Sequence, residues 1–173
     1  MKPCRINRML AILLVGTGLA FAADPAAAWP VFDFQVIGTG TVGGTCQPAP
    51  LTPFCVSNSG GQVTGTFIDS GTYTLSLTAG PAGAAQSTAG TCLPANSTGQ
   101  IVAATGDVIN FKTVGSICEE SVPGSPYHYN GTFRIDVGTG QFAAATGGGS
   151  LTATFVKGLD APTFLKIDGT IQF

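Results

Sequence analysis

The side chains best suited to chemistry are few. They are one histidine, His128, two adjacent carboxylates, Glu119 and Glu120, and two tyrosines, Tyr127 and Tyr129, that flank the histidine. His128 alone would titrate near neutral pH without help. As a general base it would need a partner within hydrogen-bond reach, and the alternation around it sends it outward beside Asn130, opposite to Tyr127 and Tyr129. Glu119-Glu120 could grip a cation or act as an acid pair, but neighbouring residues diverge, so a solvated loop is expected. Tyr127, Tyr129 and Phe111 are expected on an inward face near the end that carries the long loops, with Phe133 on the same side as the tyrosines. Together these four could line a site for a small apolar or ring-shaped ligand, the phenol hydroxyls serving as polar handles. Plain core packing is the simpler reading of the same residues. No catalytic residue, metal-ligand set or cofactor is expected.

Five cysteines occur, and Cys4 lies in an N-terminal segment with the character of a secretory signal. Lys2, Arg5 and Arg8 precede a short apolar run, Met9 to Phe21, and Ala20-Phe21-Ala22 has the small-x-small form cut by signal peptidases. Cleavage is expected after Ala22, giving a signal of residues 1–22 and one domain of residues 23–173; Ala26-Ala27-Ala28 offers a later cut. The apolar run is too short to span a bilayer comfortably, and no transmembrane helix is expected. The product would be secreted or periplasmic. Cys46, Cys55, Cys92 and Cys118 then remain, and an even number in an exported chain points to two disulfides. Metal binding competes weakly, because no Cys-x-x-Cys spacing occurs.

Seven basic and nine acidic residues in 173 leave no basic patch for nucleic acid. The 25 glycines do not recur at a collagen period and read as turn and bulge residues. Against this uncharged background a period-two pattern stands out. Tyr73-Thr74-Leu75-Ser76-Leu77, Phe133-Arg134-Ile135-Asp136-Val137, Leu151-Thr152-Ala153-Thr154-Phe155 and Leu165-Lys166-Ile167-Asp168 place a large or apolar residue at alternate positions. Side chains of a strand point to opposite faces in turn, so this is the pattern of strands with one apolar face.

Turn residues divide the chain into eight expected strands, about 31–43, 61–68, 72–79, 99–105, 107–117, 127–137, 148–157 and 163–173. Asp69-Ser70-Gly71 would join the second to the third, Thr105-Gly106-Asp107 the fourth to the fifth, and Gly138 to Gly149 the sixth to the seventh. The connections after strands one, three and five are longer. Long and short connections thus alternate, as in an up-and-down meander. Closing the sheet removes its edges. The fold class is therefore an all-β, eight-stranded antiparallel up-and-down barrel behind a signal peptide. The four cysteines fall in the long connections and gather at one end. Three pairings are open, and Cys46–Cys55 with Cys92–Cys118 requires the least rearrangement. Asp136, Asp168, Arg134, Lys112 and Lys166 all fall on the polar face, and Asp69 and Asp107 in turns.

The passage Gly138-Thr139-Gly140-Gln141-Phe142-Ala143-Ala144-Ala145-Thr146-Gly147-Gly148-Gly149 resembles the G-T-G-x-F-x-x-A-x-G-x-G segment of the allene oxide cyclase barrel-like proteins. That bacterial exported group is related in fold to plant allene oxide cyclases and dirigent proteins. Ala103-Ala104-Thr105-Gly106-Asp107 and Ile167-Asp168-Gly169-Thr170-Ile171 also resemble it, so the likeness covers roughly residues 99–173. It implies an eight-stranded barrel. No carboxylate here matches the family's catalytic position, so no activity follows.

Three functions suit such a chain. The leading one is a non-catalytic module that binds a small apolar ligand or serves at the cell surface. A cyclase or isomerase-like enzyme is the alternative, and an inward carboxylate would favour it. A small outer-membrane barrel is the third, suggested by the terminal Phe173 and the eight strands, and an outward apolar belt would favour that.

Overall fold

The computed structural model describes residues 29–44, 56–80, 92–120, 122, 125–156 and 160–173. The signal segment and the pair Cys46 and Cys55 lie outside the described residues. Eight strands form one closed antiparallel barrel in chain order. They are β1 (Val31–Gly44), β2 (Val56–Gly65), β3 (Ile68–Ala79), β4 (Cys92–Ala103), β5 (Val108–Glu119), β6 (Tyr127–Gly138), β7 (Thr146–Phe155) and β8 (Ala161–Gln172). Closure is made by β1 against β8, in register from Val31↔Gln172 to Val42↔Ala161.

Alternation drives the inside from the outside as the pattern requires. In β3 the side chains of Ile68, Tyr73, Leu75, Leu77 and Ala79 are buried while Thr72, Thr74, Ser76 and Thr78 are exposed. Tyr127, Tyr129, Phe133 and Ile135 point in from β6, and Leu165, Ile167 and Ile171 from β8. Arg134, Asp136, Lys112, Lys166 and Asp168 stand on the outer face. Two ion pairs, Lys112–Asp136 at 2.8 Å and Lys166–Asp168 at 3.3 Å, are formed there between largely exposed side chains. Such pairs contribute little to stability.

Strand boundaries differ from expectation in two places, both for the same reason. β2 begins at Val56, not at residue 61, and turns through Thr66-Phe67, not Asp69-Ser70-Gly71. Its inward positions Ser59 and Gly61 are not apolar, so the alternation is invisible there. Asp69 is consequently an outer-face residue of β3, whereas Asp107 does sit in a turn. β4 likewise begins at Cys92, because its first half faces inward with Leu93, Ala95 and Ser97, a run dominated by small side chains. Cys92 and Cys118 are therefore not loop residues. They are direct cross-strand partners in β4 and β5, and the expected disulfide joins them with Cα atoms 4.0 Å apart. On the loop-entropy account a link across 26 residues removes about 3–4 kcal/mol of unfolded-chain entropy.

The two ends of the barrel differ. The end with short connections is closed by the Gly138–Gly149 passage, whose 3₁₀ turn Gly140–Phe142 was not expected from the pattern. Phe142 is buried beneath it and stacks on Phe173, ring centroids 6.2 Å apart. Thr139 pins the passage to β5 by donating its backbone N–H to the Val108 carbonyl and accepting the Val108 N–H at its hydroxyl, 3.0 Å away. Gly140 adopts φ +56°, and a Cβ there would collide with the Asp107 carboxylate, so the G-T-G motif is a structural plug. The other end carries the connections after β1, β3, β5 and β7, of which the first two are the longest in the barrel.

Candidate functional site

Inward side chains change character along the axis. Towards the short connections they are large: Phe34, Phe111 and Phe133 meet across the centre, with ring centroids 6.2 Å apart for Phe34–Phe133 and 6.4 Å for Phe111–Phe133. The Phe111 ring lies directly over Gly99, where even a methyl group would clash. Towards the long connections Ala79, Ala95, Ala153 and Ala161 face in, beside Leu77, Leu93, Ile117 and Phe155. The lower half is a packed aromatic floor. The upper half mixes the small side chains of four alanines with the large ones of Tyr127, Tyr129 and Phe155.

Polar groups converge above that floor. The Ser97 and Thr113 hydroxyls are hydrogen-bonded at 2.6 Å, and Thr113 in turn meets the Tyr129 phenol. These two residues are cross-strand partners of β4 and β5, so register alone brings them together. Tyr129 reaches them by folding back over Gly131, where a Cβ would strike the phenol ring. Thr163 is 1% exposed, and its hydroxyl has no hydrogen-bond partner among the described residues. A buried hydroxyl of this kind normally meets water or a ligand. Ser59 is also buried, beside Tyr73.

Burial pushes the phenols up. Tyr127 is raised to about 12, first by loss of solvent and then by the negative charge of Glu119. Tyr129 and Tyr73 are raised by burial, with the Thr113 and Ser59 hydroxyls respectively pulling the other way. All three therefore remain protonated, neutral hydrogen-bonding groups at physiological pH.

Of the four expected lining residues, Tyr127 and Tyr129 flank the upper interior. Phe111 does not lie near the long-loop end: it is the fourth residue of β5 counted from the short turn, and with Phe133 it belongs to the floor. The expected solvated pair Glu119-Glu120 is also placed differently. β5 extends through Glu119, so alternation turns Glu119 inward, 9% exposed and opposite Tyr127, while Glu120 remains outside.

His128 faces outward as expected but has company. Its Nδ1 lies 3.2 Å from Thr154 Oγ1, and its Nε2 lies 2.9 Å from Glu120 Oε1. The Glu120 contact lacks the geometry of a directed hydrogen bond. Thr, His and Glu are the ingredients of nucleophilic catalysis. Yet His128, Thr154 and Phe164 are consecutive rungs of one ladder, whose backbone amides serve the sheet and offer no oxyanion site. The hydroxyls of Ser59, Ser97, Thr113 and Thr163 went unnoticed in the sequence. The alternation Leu93-x-Ala95-x-Ser97 could have revealed Ser97, since it puts Ser on the leucine's face.

No family model matches this chain, and neither a curated protein nor a solved structure does.

Proposed function

We propose that this protein is an exported, non-catalytic barrel that holds a small, mainly apolar ligand in the upper half of its interior. The observation that carries the reading is a set of buried neutral hydroxyls, Ser97, Thr113 and Tyr129 linked to one another, set above an aromatic floor of Phe34, Phe111 and Phe133 in an otherwise apolar interior. Apolar walls supply affinity and a few fixed polar groups supply orientation, the usual division of labour in small-molecule sites. Tyr127 and Tyr129 are the wall, with Tyr129 and Thr163 as handles. Export is supported by the signal-like N-terminal sequence and by the Cys92–Cys118 bond, which persists in oxidising compartments. Kinship with the allene oxide cyclase barrel-like group is part of the proposal and rests on the Gly138–Gly149 passage that plugs the barrel. The membrane alternative has less support on the outer face, where Thr, Ser, Asn and charged residues dominate and the exposed apolar side chains form small local groups, such as Ile37 with Phe164, without a continuous belt.

The test is native mass spectrometry and thermal melting of the mature protein with hydroxylated or carbonyl-bearing ring compounds. Binding is expected to raise Tm, and Ala95→Phe, which fills the upper interior, is expected to abolish the rise. Uptake that survives Ala95→Phe would place the ligand elsewhere. One observation favours the enzyme reading: Glu119 is an inward carboxylate beside Tyr127. If Glu119→Gln retains bound ligand but stops its conversion, the barrel is an isomerase; unchanged ligand in both forms upholds the binding role.

A further inference from the structure

The outer face of β2 to β5 presents rows of uncharged amides and hydroxyls. Asn58, Thr74, Ser76, Thr98, Gln100 and Asn110 line an open groove of about 450 Å³, with a second of about 340 Å³ continuing from the shared Ser76 and Thr98 past Thr78 and Asn96. The lining side chains include no carboxylate. The single cation at its margin, Lys112, is already matched by Asp136 at 2.8 Å. Register puts these groups in rows: Ser76 stands between Asn58 and Thr98, and Gln100 between Thr74 and Asn110. Two interstrand steps make each row about 10 Å long, and the two rows together span the four strands, about 14 Å. The amides are held in place, since Gln100 Nε2 donates to Asn110 Oδ1 at 3.0 Å and Asn110 Nδ2 donates to the Val137 carbonyl at 3.4 Å.

Chemistry narrows the occupant. Nucleic acids and acidic polymers require cations to replace their counterions, and the one lysine here is neutralised. A protein interface needs an apolar, usually aromatic centre; of the grooves' lining residues only Val114 is a large exposed hydrophobic. Strand addition is closed off, because β2 to β5 are paired on both sides. What remains is an uncharged partner that itself carries many hydroxyls. We propose that this face binds a neutral polysaccharide chain laid across β2 to β5, at a site separate from the barrel interior. The amide and hydroxyl rows would exchange hydrogen bonds with sugar hydroxyls. With no aromatic ring in the groove to stack on, the binding is weak and dispersed over several contacts.

Affinity electrophoresis suits weak binding. Mature protein is run through gels containing a neutral glucan, mannan, xylan or galactan, and in parallel an acidic polygalacturonate. At least one neutral polymer is expected to retard it, and raising the salt to about 0.5 M, which shrinks the screening length to a few ångströms, is expected to leave the retardation unchanged. Thr98→Val with Gln100→Leu is expected to weaken retardation at least fivefold with Tm preserved. Asn58→Ala is a second groove variant for the case in which the first misfolds. Thr152→Val, on the far outer face, should migrate as the parent does. Retardation by none of the neutral polymers, or only by the acidic one with loss in salt, would overturn the proposal. So would folded groove variants that bind as the parent protein does. Ligand uptake inside the barrel is read separately by Tm, so failure of either proposal leaves the other standing.

Discussion

All three tyrosines of the chain, Tyr73, Tyr127 and Tyr129, turn their phenols into the barrel, and burial raises each of them. Because the folded values lie above the ordinary value near 10, the fold's advantage is complete below pH 10. It drains away as pH climbs towards about 12, where the Tyr127 phenol itself ionises. Phenolate absorbance of the folded protein is therefore expected to appear at higher pH than that of the unfolded chain, and together with the loss of β-sheet circular dichroism. Phenolate signal at its ordinary pH in a folded barrel would mean that the tyrosines are wet. Asp136 behaves in the opposite sense: its hydrogen bond from Lys112 lowers it, so what it contributes is present at neutral pH and lost on acidification below the usual carboxylate range. At this scale the sequence was readable where a residue's neighbours alternate. The inward tyrosines and the outward His128 follow from period two alone. Glu119 did not, because two adjacent acids after a cysteine look like loop, and only the extra reach of β5 separates them to opposite faces. The company His128 keeps was equally hidden, since Thr154 arrives from a strand 26 residues away.

Among the elements, the β2–β3 turn is the least expected. A two-residue connection, Thr66-Phe67, holds Phe67 in the left-handed region at φ +62°, a conformation that costs a non-glycine residue about 1–2 kcal/mol. The compensation is visible: the Phe67 ring packs edge-on against Phe32 at 5.7 Å and Phe173 at 5.4 Å, in a cluster that seals the closed end. Such ring pairs contribute about 0.5–1.5 kcal/mol each beyond their buried area. Strain and packing thus roughly cancel. Phe67→Gly, which relieves one and forfeits the other, is expected to change stability by no more than about 1 kcal/mol in urea denaturation. Phe67→Val keeps the strain, adds β-branching and loses the rings, so it should cost about 2–3 kcal/mol. Equal effects for the two substitutions would show that backbone strain plays no part. The same turn explains why β2 was misplaced: Asp69-Ser70-Gly71 has the composition of a turn, whereas Phe67 has that of a strand. β3, β6 and β8 were legible because most of their inward positions are large; β2 and the first half of β4 were harder to read because Ser59, Gly61, Ala95 and Ser97 face in.

At the scale of the whole molecule, one pairing is unlike the other seven. β1 to β8 pair with their chain neighbours everywhere except at closure, where β1 meets β8. Val36 and Ile167, cross-strand partners with no exposed surface, come together from positions roughly 130 residues apart, so their contact bears a loop-closure entropy that local hairpins do not. The hairpins of β2 to β7 can form on local contacts, and the core they share is a single cluster that gains its last wall only when β1 and β8 meet. Closure should then follow the folding transition state. Ile167→Ala is expected to cost about 2–5 kcal/mol, read in stopped-flow kinetics almost entirely as faster unfolding with little change in the folding rate. Leu75→Ala, on β3 between its neighbours β2 and β4, should instead slow folding. Both experiments belong on the oxidised protein, since reducing Cys92–Cys118 would change the unfolded chain that the rates refer to. If Ile167→Ala slows refolding as strongly as Leu75→Ala does, the barrel closes early. The open sheet would then not be the species that folds last, and the upper interior would be enclosed before its lining is ordered.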